Sequence, residues 1–225
     1  RYVKTQSELG NPDLIFLPGT KNTMGDLKWL RESGMEAVIL KAASRGTMIF
    51  GICGGYQMLG ETLSDPYDVE EGGSMKGMGL LPIETVFTKE KTRTRVKGTI
   101  GTITGPYAGL SGTETEGYEI HMGETVLKEG AEHVLSITDT VTAQKKKDGA
   151  YRENVFGTYV HGFFDKEGCA EALVHLIGKK KGLDVSSLTG VDFVAFKETQ
   201  YDILADTLRK HLDMKKIYEI LEQGI

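Results

Sequence analysis

An uncharged run, Thr47-Met48-Ile49-Phe50-Gly51-Ile52-Cys53, passes without a polar break into Gly54-Gly55-Tyr56-Gln57-Met58-Leu59. A run of this length with no polar alternation reads as a strand buried on both faces, as in parallel sheets covered by helices. The glycine pair that follows it starts a helix with no loop between. Upstream, Asp13-Leu14-Ile15-Phe16-Leu17 is a second apolar strand, stopped by Pro18-Gly19. Helical patterns cover about Asn22–Leu30 and Met35–Ser44, the second ending on a basic turn and glycine cap at Arg45-Gly46. Strand, helix, helix, strand, helix is the rhythm of a parallel α/β sheet.

From Leu80 to Val160 the pattern changes to short alternating runs, Ile83–Thr88, Thr99–Ile103, Tyr118–His121 and Val134–Ile137, separated by Gly- and charge-rich stretches that read as turns. Alternation predicts antiparallel strands that extend or flank the sheet. Val155–Val160 then runs into His161-Gly162, and helical patterns occupy about Lys166–Lys180 and Tyr201–Leu221. The expected fold is α/β, a mostly parallel central sheet flanked by helices with added antiparallel strands. With no repeat or linker in view, residues 1–225 are expected to form one domain. The first residue is Arg1 and not methionine, which predicts a piece of a longer gene product.

Composition narrows the function. Two cysteines, Cys53 and Cys169, are too few for a disulfide framework and predict a reducing cytoplasm. A net charge of −5 with no long Lys/Arg run argues against nucleic acid as the main partner. Lys145, Lys146 and Lys147 read as a solvated loop. No apolar stretch approaches a membrane span of about 18 residues, and the first residues lack a signal-peptide core. Glycine is in excess, at 29 of 225 residues.

Cys53 sits where a buried strand meets a helix, the cysteine counterpart of a serine nucleophile elbow. Glycines frame it because a neighbouring Cβ would crowd the turn. The helix N-terminus is expected to favour the thiolate and lower its pKa. A thiol nucleophile needs a base. His161, ending a strand, is preferred over His121, the competing polar residue in a strand-like run. Backbone N–H donors for an oxyanion are expected from Gly54, at the helix start, and from Gly19 in Leu17-Pro18-Gly19-Thr20.

The pattern Gly51-x-Cys53-x-Gly55-x-Gln57, with Pro18-Gly19 upstream and His161 downstream, resembles class I (triad-type) glutamine amidotransferase domains. Leu17–Thr23, Gly117-Tyr118-Glu119-Ile120-His121 and Gly157–Gly162 are more narrowly similar to the glutaminase domains of the cobyric acid synthase family. The resemblance covers about residues 13–212. It implies that Cys53 attacks the side-chain amide of glutamine, that His161 serves as base and acid, and that Gly19 and Gly54 hold the oxyanion. Gln57 would hold the substrate or the elbow, and Arg95, with Arg93 as alternative, would bind glutamine. No metal or cofactor is expected in this domain. ATP and magnesium are expected in an upstream synthetase domain, which amidates adenosylcobyrinic acid a,c-diamide with the released ammonia.

The sequence departs from the class at Phe163, where the usual triad has a glutamate; Asp165 or Glu119 could take that role, or a dyad could act alone. The family fold also begins with a strand and helix upstream of Arg1. Alternatives of similar chemistry are a glutaminase subunit that amidates cell-wall lipid precursors and a hydrolase of γ-glutamyl bonds. An interaction domain without catalysis is the non-enzymatic alternative.

Overall fold

The computed structural model describes residues 1–166, 168–186 and 192–224, and contacts divide the chain into two units, Arg1–Leu188 and Thr189–Ile225. In the first unit α1 (Gln6–Leu9) leads to β1 (Leu14–Leu17), α2 (Thr23–Glu32), α3 (Met35–Ser44), β2 (Met48–Ile52) and the short α4 (Gly54–Met58). Then come β3 (Thr62–Asp65), β4 (Gly73–Lys76), β5 (Ile83–Ile100), β6 (Glu114–Leu127), β7 (Leu135–Asp139) and β8 (Lys145–Asp148). The unit closes with β9 (Ala150–Arg152), β10 (Val155–Thr158), β11 (Val160–His161) and α5 (Cys169–Lys180). The expected start of α5 near Lys166 includes Glu167, which lies outside the described residues.

The apolar strands pair as their lack of alternation requires. β2 lies between β1 and β10, parallel to both, and β9 closes the sheet antiparallel to β10. The register sets Gly51 opposite Leu17 and Gly157, so all three parallel strands end level beneath Cys53. Ile49 and Phe50 are buried, and the Phe50 ring lies 5.8 Å from Phe16, 6.3 Å from Phe156 and 5.1 Å from Phe163. Each such side chain contributes about 1.5–3 kcal/mol by leaving water.

The remaining strands build a second sheet of seven strands, in the order β11-β6-β5-β3-β4 with β7 on β5 and β8 on β7, antiparallel except for β3 on β5. Two expected runs, Ile83–Thr88 and Thr99–Ile103, prove largely continuous: β5 carries through the charged stretch between them, with a register shift between Val86 and Lys91. Those charges do not mark a turn. They alternate with inward residues such as Val96 and stand on the solvent face. Lys145–Lys147 corrects the solvated-loop reading for the same reason, because they form β8 and pair with Thr138, Ile137 and Ser136.

The second unit contains α6 (Phe193–His211) and α7 (Met214–Gln223). The single helical run expected at Tyr201–Leu221 is therefore two helices. Leu212 is extended (φ −116°, ψ 146°), and Asp213 restarts the chain by accepting the Lys216 N–H at 3.0 Å. No helix among the described residues is long and apolar enough to cross a membrane.

The elbow depends on close backbone approach. A Cβ on Gly55 would stand 2.6 Å from Leu17 C and 2.8 Å from Pro18 O, and one on Gly51 would stand 2.7 Å from Tyr56 Cα. Backbone cannot swing aside as a long side chain can. Gly55→Ala should therefore lower stability by about 1–3 kcal/mol, despite alanine's better helix propensity. Gly101→Ala, where the nearest atoms are at 3.6 and 3.7 Å, should be close to neutral. Urea unfolding of the two variants checks this; equal midpoints would show that the approach imposes no constraint.

Candidate active site

Cys53 joins β2 to α4 with φ 53° and ψ −112°, a left-handed backbone that a residue with a side chain adopts at a cost of about 1–3 kcal/mol. Two hydrogen bonds hold it there. Its N–H donates to Thr158 O at 2.8 Å and its carbonyl accepts from the Gln57 N–H at 3.0 Å. The turn Pro18–Thr20 packs onto the same elbow: a Cβ on Gly54 would meet Thr20 Cγ2 and lie 3.2 Å from Thr20 N. The expected glycines are thus in place around the cysteine.

His161 arrives from the other sheet. β11 pairs antiparallel with β6, setting His161 opposite Tyr118, and the two rings stack with centroids 5.1 Å apart. Gly19 lies between His161 and Cys53. A Cβ there would be 2.7 Å from His161 Cε1 and 3.5 Å from Cys53 Cβ, so only glycine leaves the two side chains facing each other. The structure therefore brings Cys53, His161, Gly19 and Gly54 together, from three separate stretches of chain.

His121, the competing histidine, is spoken for. Its Nδ1 is 3.1 Å from Gly123 O, its ring stacks on Tyr159 at 3.8 Å, and its Nε2 is 3.6 Å from Glu119 Oε1. Glu119 is fully buried and also forms an ion pair with Lys146 at 2.8 Å. That pairing directs Glu119 toward His121 and Lys146; it does not orient His161. Phe163 is buried in the aromatic cluster, and Asp165 stays beside Gly162, whose carbonyl accepts its N–H at 2.8 Å. Nothing in the sequence reading singled out Lys146 or Tyr159, because the contacts that matter cross from strand to strand.

Gln57 is fully enclosed. Its Oε1 accepts from Thr23 Oγ1 at 3.1 Å, and its Nε2 donates to Met122 O at 3.3 Å and to the Tyr159 hydroxyl at 3.1 Å. With both ends of the amide engaged and 2 % of the residue exposed, Gln57 is held as a brace for the elbow. Of the two roles open in the sequence, the geometry supports the brace. Arg95 and Arg93 are both exposed on β5, opposite Tyr118 and Ile120, and among the described residues neither guanidinium has an ion-pair partner. Arg95, Tyr118 and His161 form one cross-strand row, so Arg95 stands on the same face as His161. No three His, Cys, Asp or Glu side chains among the described residues are arranged to hold a metal. A cleft of about 1120 Å³ along the free edge of β1 reaches Gly19 and Thr20, but neither Cys53 nor His161 lines it.

Electrostatics depart from the expectation at Cys53. Burial pushes its thiol up to about 11, aided by the charges of Glu70 and Asp148 and only partly offset by the Gly54 N–H directed at it. His161 is held below the usual histidine range, first by burial and then by the charge on His121. The resting pair is therefore a neutral thiol and a neutral imidazole. Without substrate, alkylation of Cys53 by iodoacetamide should be slow at pH 7. Its rate should climb about tenfold per pH unit toward pH 10, since the thiolate alone reacts. A plateau near pH 8 would show that the thiolate is stabilised after all.

The family model for the CobB/CobQ-like glutamine amidotransferase domain matches residues 1–169. Proteins named cobyric acid synthase are 53% identical in Ruminiclostridium cellulolyticum, over 100% of this chain and 44% of that protein, and 51% identical in Lachnoclostridium phytofermentans, over 100% and 45%. The protein of that name in Citrobacter koseri is 44% identical over 99% of this chain and 44% of its own length. The chain thus spans somewhat under half the length of the curated relatives it matches. Solved structures of similar fold include PurLQS from Thermotoga maritima (TM-score 0.57, 23% identity) and a glutamine amidotransferase (TM-score 0.51, 16% identity), each covering 80% of this chain and 85% of the other. The elbow, the facing histidine and the match across residues 1–169 agree: the chain belongs to the CobB/CobQ-like glutamine amidotransferase domain family.

Proposed function

We propose that this chain hydrolyses glutamine to glutamate and ammonia through a Cys53 thioester, and that Cys53 facing His161 across Gly19 is the observation that carries the reading. Because the resting thiol is protonated, His161 takes its proton as sulfur bonds to the amide carbon, and the carbonyl electrons move onto oxygen. The N–H groups of Gly54 and Gly19 receive that oxyanion; in other enzymes one such donor is worth roughly 3 kcal/mol of barrier. The tetrahedral centre collapses as the C–N bond breaks, and His161 returns its proton to the departing nitrogen, releasing ammonia. Water then gives a proton to His161 as it attacks the thioester. The second collapse frees glutamate and returns the proton to sulfur. Arg95, or Arg93 beside it, is the cation offered to the substrate carboxylate.

A neutral His161 is what the first step needs, and a protonated thiol limits side reactions of Cys53 between turnovers. Among the described residues Glu119 is taken up by His121 and Lys146, which favours a cysteine–histidine dyad with His161 steadied by the Tyr118 ring.

The names of the relatives support the larger assignment. The ammonia would pass to an ATP- and magnesium-dependent synthetase part of a longer protein in the cytoplasm. There it would amidate adenosylcobyrinic acid a,c-diamide to cobyric acid in cobalamin biosynthesis. This is favoured over the cell-wall alternative because the relatives sharing the whole chain at 43–53% identity carry the name cobyric acid synthase.

Ammonia release by the full-length protein should fall at least about a thousandfold in Cys53→Ala, and about 10²–10⁴-fold in His161→Ala with KM little changed. Equal rates for wild type and Cys53→Ala would overturn the nucleophile. Coupling to a synthetase further predicts that this chain alone turns over glutamine more slowly than the full protein supplied with ATP and acceptor.

A further inference from the structure

The sequence has no long basic run, yet the second sheet assembles a basic face. Alternate residues of a strand share a face, and so do directly opposed residues of neighbouring strands. Lys91, Arg93, Arg95 and Lys97 are the outward residues of β5. Lys97 is opposite Thr138, which is opposite Lys145; Thr99 is opposite Ser136, which is opposite Lys147. All six cations therefore point to one side, while Val96, Ile137, Glu119 and Asp148 are buried on the other. The patch runs about 20 Å along β5 and about 10 Å across to β8.

Its charge is largely uncompensated. Among the described residues none of the six is in an ion pair, although Lys147 Nζ donates to Ser136 Oγ at 2.6 Å. Glu116, directly opposite Lys97 in the β5–β6 register, and Glu114, which is opposite Thr99 and pairs with Lys166, are the carboxylates at its margin. In a chain of net charge −5 such segregation is a local feature, not an overall bias. The patch also borders the site, through the row Arg95, Tyr118, His161.

We propose that this face docks an acidic protein surface, located on the additional part that the longer relatives carry, and so seats that part beside the Cys53–His161 site. The inference rests on the reading that this chain delivers ammonia to such a part. An open sheet face lacks the concavity that small ligands require, whereas opposed charge patches orient two protein surfaces and set their register. The relatives supply the occupant's room, since more than half of their length lies outside the match.

The test uses the full-length protein and needs no turnover. Lysines are acylated with a water-soluble acetyl ester at about 50 mM and about 500 mM NaCl, a range over which screening of charge pairs changes strongly, and sites are read by mass spectrometry. Lys97, Lys145 and Lys147 should react at least about fivefold more slowly than the exposed Lys28 at low salt, and approach its rate at high salt. Reaction as fast as Lys28 at both salts would overturn the proposal. So would protection that disappears on nuclease treatment, or that persists only with a second copy of this chain. In a second measurement, the double variant Lys97→Glu/Lys145→Glu should lose about tenfold of glutamine-dependent amide formation while keeping amide formation from free ammonia. Unimpaired coupling in that variant would also overturn it. Hydrolysis persisting in Cys53→Ala would sink the reading of the site instead, and the footprint would still decide the docking face.

Discussion

Helix α4 starts so close to the end of β1 that the carbonyls of Leu17 and Pro18 occupy the space a side chain on Gly55 would need. Much of the rest follows from that contact. The chain has to turn from β2 into α4 within one residue, and that residue is Cys53, held with positive φ at the level end of three parallel strands. The strain is sustained because the turn is over-determined. The ladder bond to Thr158, the first helical bond from Gln57 and the three side-chain bonds of Gln57 all fix the same conformation.

The same enclosure sets the chemistry. A helix N-terminus favours an anion by about 0.3–1 kcal/mol, and α4 has only five residues to supply it. Burial acts in the opposite direction and is the larger effect, lifting the Cys53 thiol to about 11. A shift of that size corresponds to roughly 3 kcal/mol against the thiolate, so dehydration wins over the dipole. In the proposed mechanism the nucleophile then has to be made at the moment of attack, so a neutral His161 would matter more than a preformed thiolate. Its neutrality has the same origin, since burial disfavours the imidazolium as well.

Features written in consecutive residues were readable in advance. The apolar runs of β1 and β2, the glycine frame of Cys53 and the helices α2 and α3 follow from local pattern, and they fall where expected. Features made by register were not. The charged stretch of β5 looked like a turn, and Lys145–Lys147 looked like a loop, because alternation around a charge is ambiguous until a partner strand shows which side is buried. Gln57 is another such case. Its motif is compatible with holding substrate or elbow, and only its contacts with Thr23, Met122 and Tyr159, distant in sequence, favour the second role.

The sequence by itself determined that this is an α/β protein with a cysteine elbow, since short-range sterics decide where a buried strand can turn into a helix and which neighbours must be glycine. Tertiary structure alone decided which histidine faces that cysteine, where Glu119 spends its charge, and that cations from β5 and β8 share one face. The physical reason is that side-chain direction in a sheet is set by pairing register, which depends on contacts between residues far apart in the chain.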